Sequence, residues 1–142
     1  MAHKEDYVDR KLALELKKLG FGYPCIFYFK KTPEDLIKKE GKYIMKCDGN
    51  PMGHFTEGKN YNQYSNITSA PLYTQAFKWF RIKHNLDKES LTFKDNWYFI
   101  ISRFFGDEDS DDLILDYFDD YNKARRDCLI NMIDIVKGKI TI

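Results

Sequence analysis

Residues 69–105 constrain the fold more than any other part of this 142-residue chain. The segment 71–84 has apolar side chains at helical spacing, with Trp79 and Phe80 on its inner face. The apolar run 97–101 follows a short turn and is typical of a buried strand. We therefore expect a helix packed on a sheet, with the aromatic rings of both segments facing inward.

Hydrophobic periodicity and turn residues divide the rest of the chain into elements. Spacings of three and four predict helices at about 5–19 and at 71–84, the latter with Ser69 as its cap and Asn85 at its end. A long helix is predicted at about 119–137, capped by Asp119 or Asp120, with Cys128, Leu129 and Met132 in its inner stripe. A short helix is expected after Thr32. The strands expected are 25–29, 42–47, 90–93 and 97–103, with short ones at 113–115 and 140–142. These elements predict an α+β fold, a mostly antiparallel sheet of four to six strands packed against about three helices.

Length and composition predict one globular domain over residues 1–142. Hydrophobic residues make up 43% and aromatic residues 16%, which is enough for an ordinary core. The longest apolar runs are about five residues, well short of the ~20 that a membrane span needs. The first residues carry charges with no apolar stretch behind them, unlike a secretory signal. We expect no membrane partner and a cytoplasmic location.

Charge is unevenly distributed although the net charge is only +1. Residues 104–122 contain eight acids and no base, so the remaining chain has 23 bases against 22 − 8 = 14 acids, or +9. Such a dipolar surface orients a charged partner. A balanced total gives little support for nucleic-acid binding, because proteins that bind nucleic acid usually have an excess of bases.

The potential metal ligands do not match a known site. Cys25, Cys47 and Cys128 are widely spaced with no close pair, and are expected to be buried apolar side chains. Only Cys47 and His54 lie near each other, whereas structural zinc needs four ligands. The acidic run 107–112 lacks the glycine and glutamate that an EF-hand requires at its sixth and twelfth positions. We expect no metal and no cofactor.

Catalytic motifs are missing from the sequence. There is no nucleophile elbow, Walker loop or glycine-rich phosphate cradle. A nucleophilic cysteine or serine would need a histidine base, for which His54 and His84 are the candidates. The sequence therefore favours a protein that is not an enzyme. An enzyme with a metal recruited by the acidic segment is retained as an alternative.

The polar segment 48–68 is the first place to expect a ligand. It is rich in glycine, asparagine and tyrosine and has no clear period, and long loops of this kind are often functional. Aromatic rings beside cations stack on bases. Its candidate binding residues are His54, Lys59, Tyr61 and Tyr64. The alternative is a hairpin of short irregular strands.

A second group of candidates lies at the end of the middle helix. Arg81 and His84 could extend a binding patch that begins with Trp79. Trp79 and His84 are five residues apart and are expected on different faces, whereas Phe80 and His84 share one. The alternative is that Arg81 and His84 are cations that stabilise the helix C-terminus.

Two segments carry a resemblance to a family. The Ser69-Ala70-Pro71 opening, Gln75, the Trp79-Phe80-Arg81 run and His84 form one motif, and Tyr121, Ala124 and Leu129 on the last helix form the other. Together they resemble uncharacterised small proteins of phages and prophages of Bacteroides-like gut bacteria. The match covers about a third of the chain, and departs from the family at Ile82 and Asn122, where an acid is common. The resemblance implies a viral or mobile-element origin and no particular activity. With that origin, the expected location is the cytoplasm of the bacterial host or the virion.

These observations together predict a small non-catalytic phage or mobile-element protein. It is expected to act by binding a protein: a second copy of itself, a virion component or a host factor. The alternative function is a nucleotide- or nucleic-acid-binding module that uses residues 48–68.

Overall fold

Two compact units, Met1–Gln75 and Ala76–Ile142, make up the chain in the computed structural model, which describes residues 4–31, 43–47, 58–104 and 111–142. The described residues form three α-helices and six strands, so the α+β class is confirmed. The expected sheet of four to six strands is wrong, because the strands form two separate three-stranded antiparallel sheets. The single domain over residues 1–142 stays a prediction.

The first unit begins with a capped helix, α1 (Arg10–Lys18). The Asp9 carboxylate accepts a hydrogen bond from the Leu12 amide at 3.1 Å, which starts the helix later than predicted. A 3₁₀ turn, Lys4–Asp6, takes the place of the expected first turn. The helix ends before Gly20, whose φ of +96° suits glycine at that position.

The first sheet has the order β2-β1-β3, with β1 (Phe27–Lys31) between β2 (Tyr43–Cys47) and β3 (Ile67–Ala70). The strand predicted at 42–47 is confirmed, and the one predicted at 25–29 begins two residues later. Ser69 is not the helix cap, because it belongs to β3 and its hydroxyl accepts a hydrogen bond from the Tyr61 amide at 3.0 Å. The helix predicted after Thr32 lies outside the described residues.

The second helix, α2 (Tyr73–His84), contains the boundary between the two units. Its predicted inner face is largely confirmed, since Ala76, Trp79 and Phe80 are all buried. Asn85 adopts a left-handed φ of 56° and ends the helix, as expected from the sequence.

The second unit continues with a meander of three strands and a long helix. The elements are β4 (Leu86–Phe93), β5 (Asn96–Arg103), β6 (Asp111–Ile114) and α3 (Tyr121–Val136). The sheet has the order β4-β5-β6. Lys94 and Asp95 form the two-residue turn between β4 and β5, and both have positive φ, as a type I′ hairpin requires.

The long helix α3 confirms the prediction for residues 119–137. Asp120 caps it by accepting a hydrogen bond from the Asn122 amide at 3.0 Å. The predicted inner stripe is buried, including Cys128, Leu129 and Met132. The strand expected at 140–142 is wrong: these residues form no strand, and the chain turns at Gly138, whose φ is +79°.

One face of the second sheet is the core of its unit. Phe99 is 1% exposed, and its ring centroid lies 6.4 Å from that of Phe77 in α2 and 5.9 Å from that of Tyr121 in α3. Trp97 packs edge-on against the same Tyr121 ring at 5.1 Å. We call this the covered face. The expectation that the whole run 97–101 is buried is wrong, because only Phe99 and Ile101 are fully buried.

Candidate functional site

The opposite face of the second sheet carries exposed apolar side chains. Successive residues of a strand point to opposite faces, so the neighbours of Phe99 and Ile101 in β5 point away from the core. The register places Leu91 opposite Tyr98, and Ile100 opposite Ile114. We call this surface the open face; it consists of Leu91, Phe93, Tyr98, Ile100, Ile114 and Tyr117.

Three aromatic rings form the centre of the open face. Tyr117 lies edge-on against Tyr98 with ring centroids 4.8 Å apart, and its ring is 6.0 Å from that of Phe93. The exposed fractions are 53% for Phe93, 54% for Tyr117 and 65% for Ile114. Isolated exposed apolar residues are common, but a contiguous group of them marks an interaction surface.

Acidic side chains surround this apolar centre. The register pairs Asp87 and Glu89 of β4, and Asp112 of β6, with residues of β5 that point to the open face, so these acids lie on the same face. The Ser102 hydroxyl donates to the Asp112 carboxylate at 2.7 Å, which holds that acid at the margin. The Lys94 ammonium lies 5.4 Å from the Phe93 ring centroid and is the cation of this margin.

The bases within the three strands occupy the covered face instead. Lys88 points toward α2, with its ammonium 5.3 Å from the Phe77 ring centroid. Arg103 lies on the same face of β5 as Phe99 and Ile101, because it follows them by an even number of residues. The open face is therefore apolar at its centre and mainly acidic at its edge. Such a surface complements a partner with apolar side chains flanked by lysine or arginine.

The sequence analysis missed the residues of the open face as candidates. The pattern of β4 contains a signal, because Leu91 and Phe93 alternate with the polar Ser90 and Thr92. The run 97–101 hides the same alternation, since both faces of β5 are apolar there. Tyr117 gave no periodic signal because it lies outside the regular strands.

The described candidates of segment 48–68 belong to the first unit, and His54 lies outside the described residues. Tyr61 is 2% exposed, and its ring packs at 4.7 Å from that of Tyr28. Lys59 and Tyr64 are exposed, the latter by 44%. The structure therefore separates the tyrosines into one core ring and one surface ring. Binding of a base or nucleotide by this segment stays a prediction.

Residues 58–68 are tied to the first unit by specific hydrogen bonds. The Asn62 amide group donates to the Phe21 carbonyl at 2.9 Å, and its oxygen accepts from the Ser69 amide at 2.8 Å. The Lys17 ammonium donates to the carbonyls of Tyr64 and Ile67 at 2.6 and 2.7 Å. Partial burial lowers the pKa of Lys17. These bonds explain how a segment without periodicity acquires a fixed conformation.

At the end of α2, Arg81 is exposed whereas His84 is half-buried. The His84 ring lies 4.8 Å from Trp79 and 5.7 Å from Phe80 by centroid distance. The expectation that Trp79 and His84 lie apart is wrong, because the His84 ring packs on both aromatic rings. Its Nε2 is shielded from solvent without a hydrogen-bond partner among the described residues.

The electrostatics of His84 disfavour its charged form. Desolvation, followed by the nearby cations Lys83 and Arg103, lowers the pKa of the imidazole. A histidine that stabilised the helix C-terminus as a cation would need the opposite shift. The side chain is therefore a neutral packing group against Trp79.

The cysteines behave as buried apolar side chains where the structure describes them. Cys25 and Cys128 are buried and unpaired with each other. Burial raises the pKa of the Cys25 thiol to about 12, and raises that of Cys128 as well. Neither is a thiolate at neutral pH, so neither has the character of a nucleophile.

Within the part of the chain that the structure describes, no three histidine, cysteine or acidic side chains are grouped as metal ligands. His54 and residues 107–110, on which two of the metal hypotheses depended, lie outside that part. Among the described helices, none has the length and apolar character to cross a membrane.

No protein-family model matches the sequence, and neither a curated protein nor a solved structure is similar to it.

Proposed function

We propose that the chain is a small non-catalytic protein that binds another protein through the open face. The observation that carries this proposal is the contact among Phe93, Tyr98 and Tyr117 on the solvent side of a sheet whose other side is the core. Aromatic side chains are enriched at the centres of protein interfaces, since they bury a large area at a small entropy cost.

The partner that this surface favours has apolar side chains flanked by bases. Asp87, Glu89 and Asp112 would face those bases at the rim, where charges mainly increase the association rate and select the partner. The apolar centre would supply most of the affinity. A phage or mobile-element origin, which rests on the motif resemblance, would make a virion component or a host protein the partner.

The test compares the open face with an exposed apolar residue elsewhere in the second unit. The double variant Phe93→Ser/Tyr117→Ser removes two rings of the open face, whereas Ile82→Ser changes an α2 side chain that is 59% exposed. Each tagged protein is used to capture partners from host and virion lysates. A captured protein is then purified, and its affinity is measured by calorimetry.

The expected result is a partner retained by the wild type and by Ile82→Ser, and lost from the Phe93→Ser/Tyr117→Ser variant. Its affinity for the wild type should fall at high salt, because acids of the rim contribute to binding. A partner bound equally by all three proteins would refute the role of the open face. Capture of oligonucleotides instead, unaffected by the Phe93 and Tyr117 changes, would favour the nucleic-acid alternative.

A further inference from the structure

The strand β4 has one side that pairs with no strand of the described residues. The sheet order is β4-β5-β6, so β4 pairs with β5 alone. The Phe104 amide donates to the Asn85 carbonyl at 3.1 Å, so these two residues form a hydrogen-bonded pair of the antiparallel ladder, and every second residue of β4 after Asn85 does the same. Backbone groups of the odd-numbered residues 87, 89, 91 and 93 therefore face β5. Those of Lys88, Ser90 and Thr92 point outward.

This outer edge lacks three devices that commonly prevent a strand from pairing with another chain: proline, a bulge and a very short length. β4 pairs without interruption from Leu86 to Phe93, a length of eight residues. A fourth device, charge, is confined to residues 87–89, where the Lys88 amide also donates to the Asp87 carboxylate at 2.8 Å. Ser90 and Thr92 are exposed along the rest of the strand. The edge from Ser90 to Phe93 is therefore a template for a further antiparallel strand.

We propose that β4 pairs antiparallel with β4 of a second copy, with Ser90 at the two-fold axis. Two three-stranded sheets would then form one continuous six-stranded sheet. In this register the pairs across the interface are Lys88 with Thr92 of the second copy and Glu89 with Leu91 of the second copy. No like charges stand directly opposite each other.

Charge disfavours the neighbouring registers that keep the same hydrogen-bonding alternation. A shift in one direction places Glu89 directly opposite Glu89 of the second copy. A shift in the other direction brings Lys88 near Lys94 of the second copy, the first residue of the turn after β4, twice by symmetry. Like charges directly opposite each other destabilise an antiparallel pair. The Ser90-centred register avoids both arrangements.

The same register brings opposite charges together at both ends of the interface. Asp87 faces Phe93 of the second copy, and the Lys94 ammonium lies over that ring, 5.4 Å from its centroid. Each Asp87 carboxylate would therefore lie across the interface from the end of the strand that leads into Lys94 of the other chain. The two Glu89 side chains remain as a diagonal pair about 7–8 Å apart. This charge complementarity favours a second copy over an unrelated strand.

The dimer goes beyond the proposed function and does not depend on it. A two-fold axis perpendicular to the sheet leaves both open faces on the same side. A partner with two binding sites would then gain effective concentration from the second contact. The edge and the open face use different residues, so either proposal can fail alone.

The first test removes the outward donor at the two-fold axis. Ser90→Pro eliminates an N–H that faces away from β5, so it leaves the internal ladder intact. Ser90→Thr is the matched control, because it keeps the N–H and suits a strand. Sedimentation velocity over a dilution series should show a dimer for wild type and Ser90→Thr, and a monomer for Ser90→Pro.

A second pair of variants decides the register and does not require Ser90→Pro to fold. Thr92→Lys places a base opposite Lys88 of the second copy, whereas Thr92→Glu places an acid there. We expect dimerisation roughly tenfold weaker for the first and correspondingly tighter for the second, from two symmetric pairs. Thr92 is exposed in the single chain, so circular dichroism should show both variants folded.

Hydrogen exchange supplies a readout that is specific to this edge. The amides of Ser90 and Thr92 should become protected as the concentration rises, while those of Glu89 and Leu91 are protected throughout. A wild type that stays monomeric over the whole series would overturn the proposal. So would a dimer that neither Thr92 variant changes, or in which the Ser90 and Thr92 amides exchange freely.

Discussion

Adjacent residues of β5 provide the sharpest test of the two faces. Phe99 is 1% exposed between Phe77 and Tyr121, while Tyr98, one residue earlier, lies on the open face against Tyr117. Alanine at each position removes an aromatic ring from the same strand. Any general loss of strand propensity is therefore similar in the two variants.

The expected costs differ because only one ring leaves a cavity. Removing a buried phenylalanine costs about 3–5 kcal/mol, a large part of the ~5–15 kcal/mol that stabilises a typical domain. Removing Tyr98 loses an edge-to-face contact of about 0.5–1.5 kcal/mol and part of its strand propensity, and leaves no sealed void. The free energy of unfolding should therefore fall by about 2 kcal/mol more for Phe99→Ala than for Tyr98→Ala.

Urea unfolding followed by tryptophan fluorescence measures this difference. Both tryptophans, Trp79 and Trp97, lie in the second unit and report on it directly. The comparison is valid if the dependence on urea has the same slope in each variant. A cost for Tyr98→Ala equal to that for Phe99→Ala would refute the assignment of the open face, because it would mean that this side is also a packed core.

Three further predictions concern single side chains. Lys17→Met removes hydrogen bonds to two carbonyls at 2.6 and 2.7 Å and should cost about 1–3 kcal/mol in urea unfolding, whereas Lys18→Met should cost little. Gly58→Ala should lower the melting temperature more than Gly138→Ala: both have φ of +79°, but only at Gly58 would a Cβ lie 2.6 Å from a backbone oxygen. The pKa of His84 is lower in the folded protein than in the unfolded chain, so the unfolded chain binds a proton at a higher pH. The free energy of unfolding should therefore fall as the pH drops below 6.5 toward the folded pKa. His84→Phe should lose this part of the pH dependence, and an unchanged profile would contradict the lowered pKa.

Features set by local sequence were predictable. Asp120 precedes a run with apolar residues at spacings of three and four, and it caps α3 as expected. Asn85 ends α2 through its own left-handed conformation. In each case the deciding interaction joins residues within four positions of each other, which a single sequence displays directly.

Features set by distant partners were not predictable. Ser69 precedes an apolar helix and has the chemistry of a cap, yet its hydroxyl accepts a hydrogen bond from the Tyr61 amide, eight residues earlier. Nothing in the residues around Ser69 indicates that competing donor. The division into two sheets has the same origin, because strand pairing depends on which edges meet and not on the composition of each strand.

The open face could not be predicted from the sequence, because its apolar side chains, which make it a candidate site, also make β5 look like a fully buried strand. A strand with one face in water usually alternates apolar and polar residues, so the unbroken apolar run 97–101 indicates burial on both faces. The structure buries Phe99 and Ile101 and leaves Tyr98 and Ile100 on the other side. Apolar side chains at positions where polar ones would be stable in water require another explanation. The proposed protein partner would supply it by covering them, and the run would then describe a strand buried on both faces in the complex.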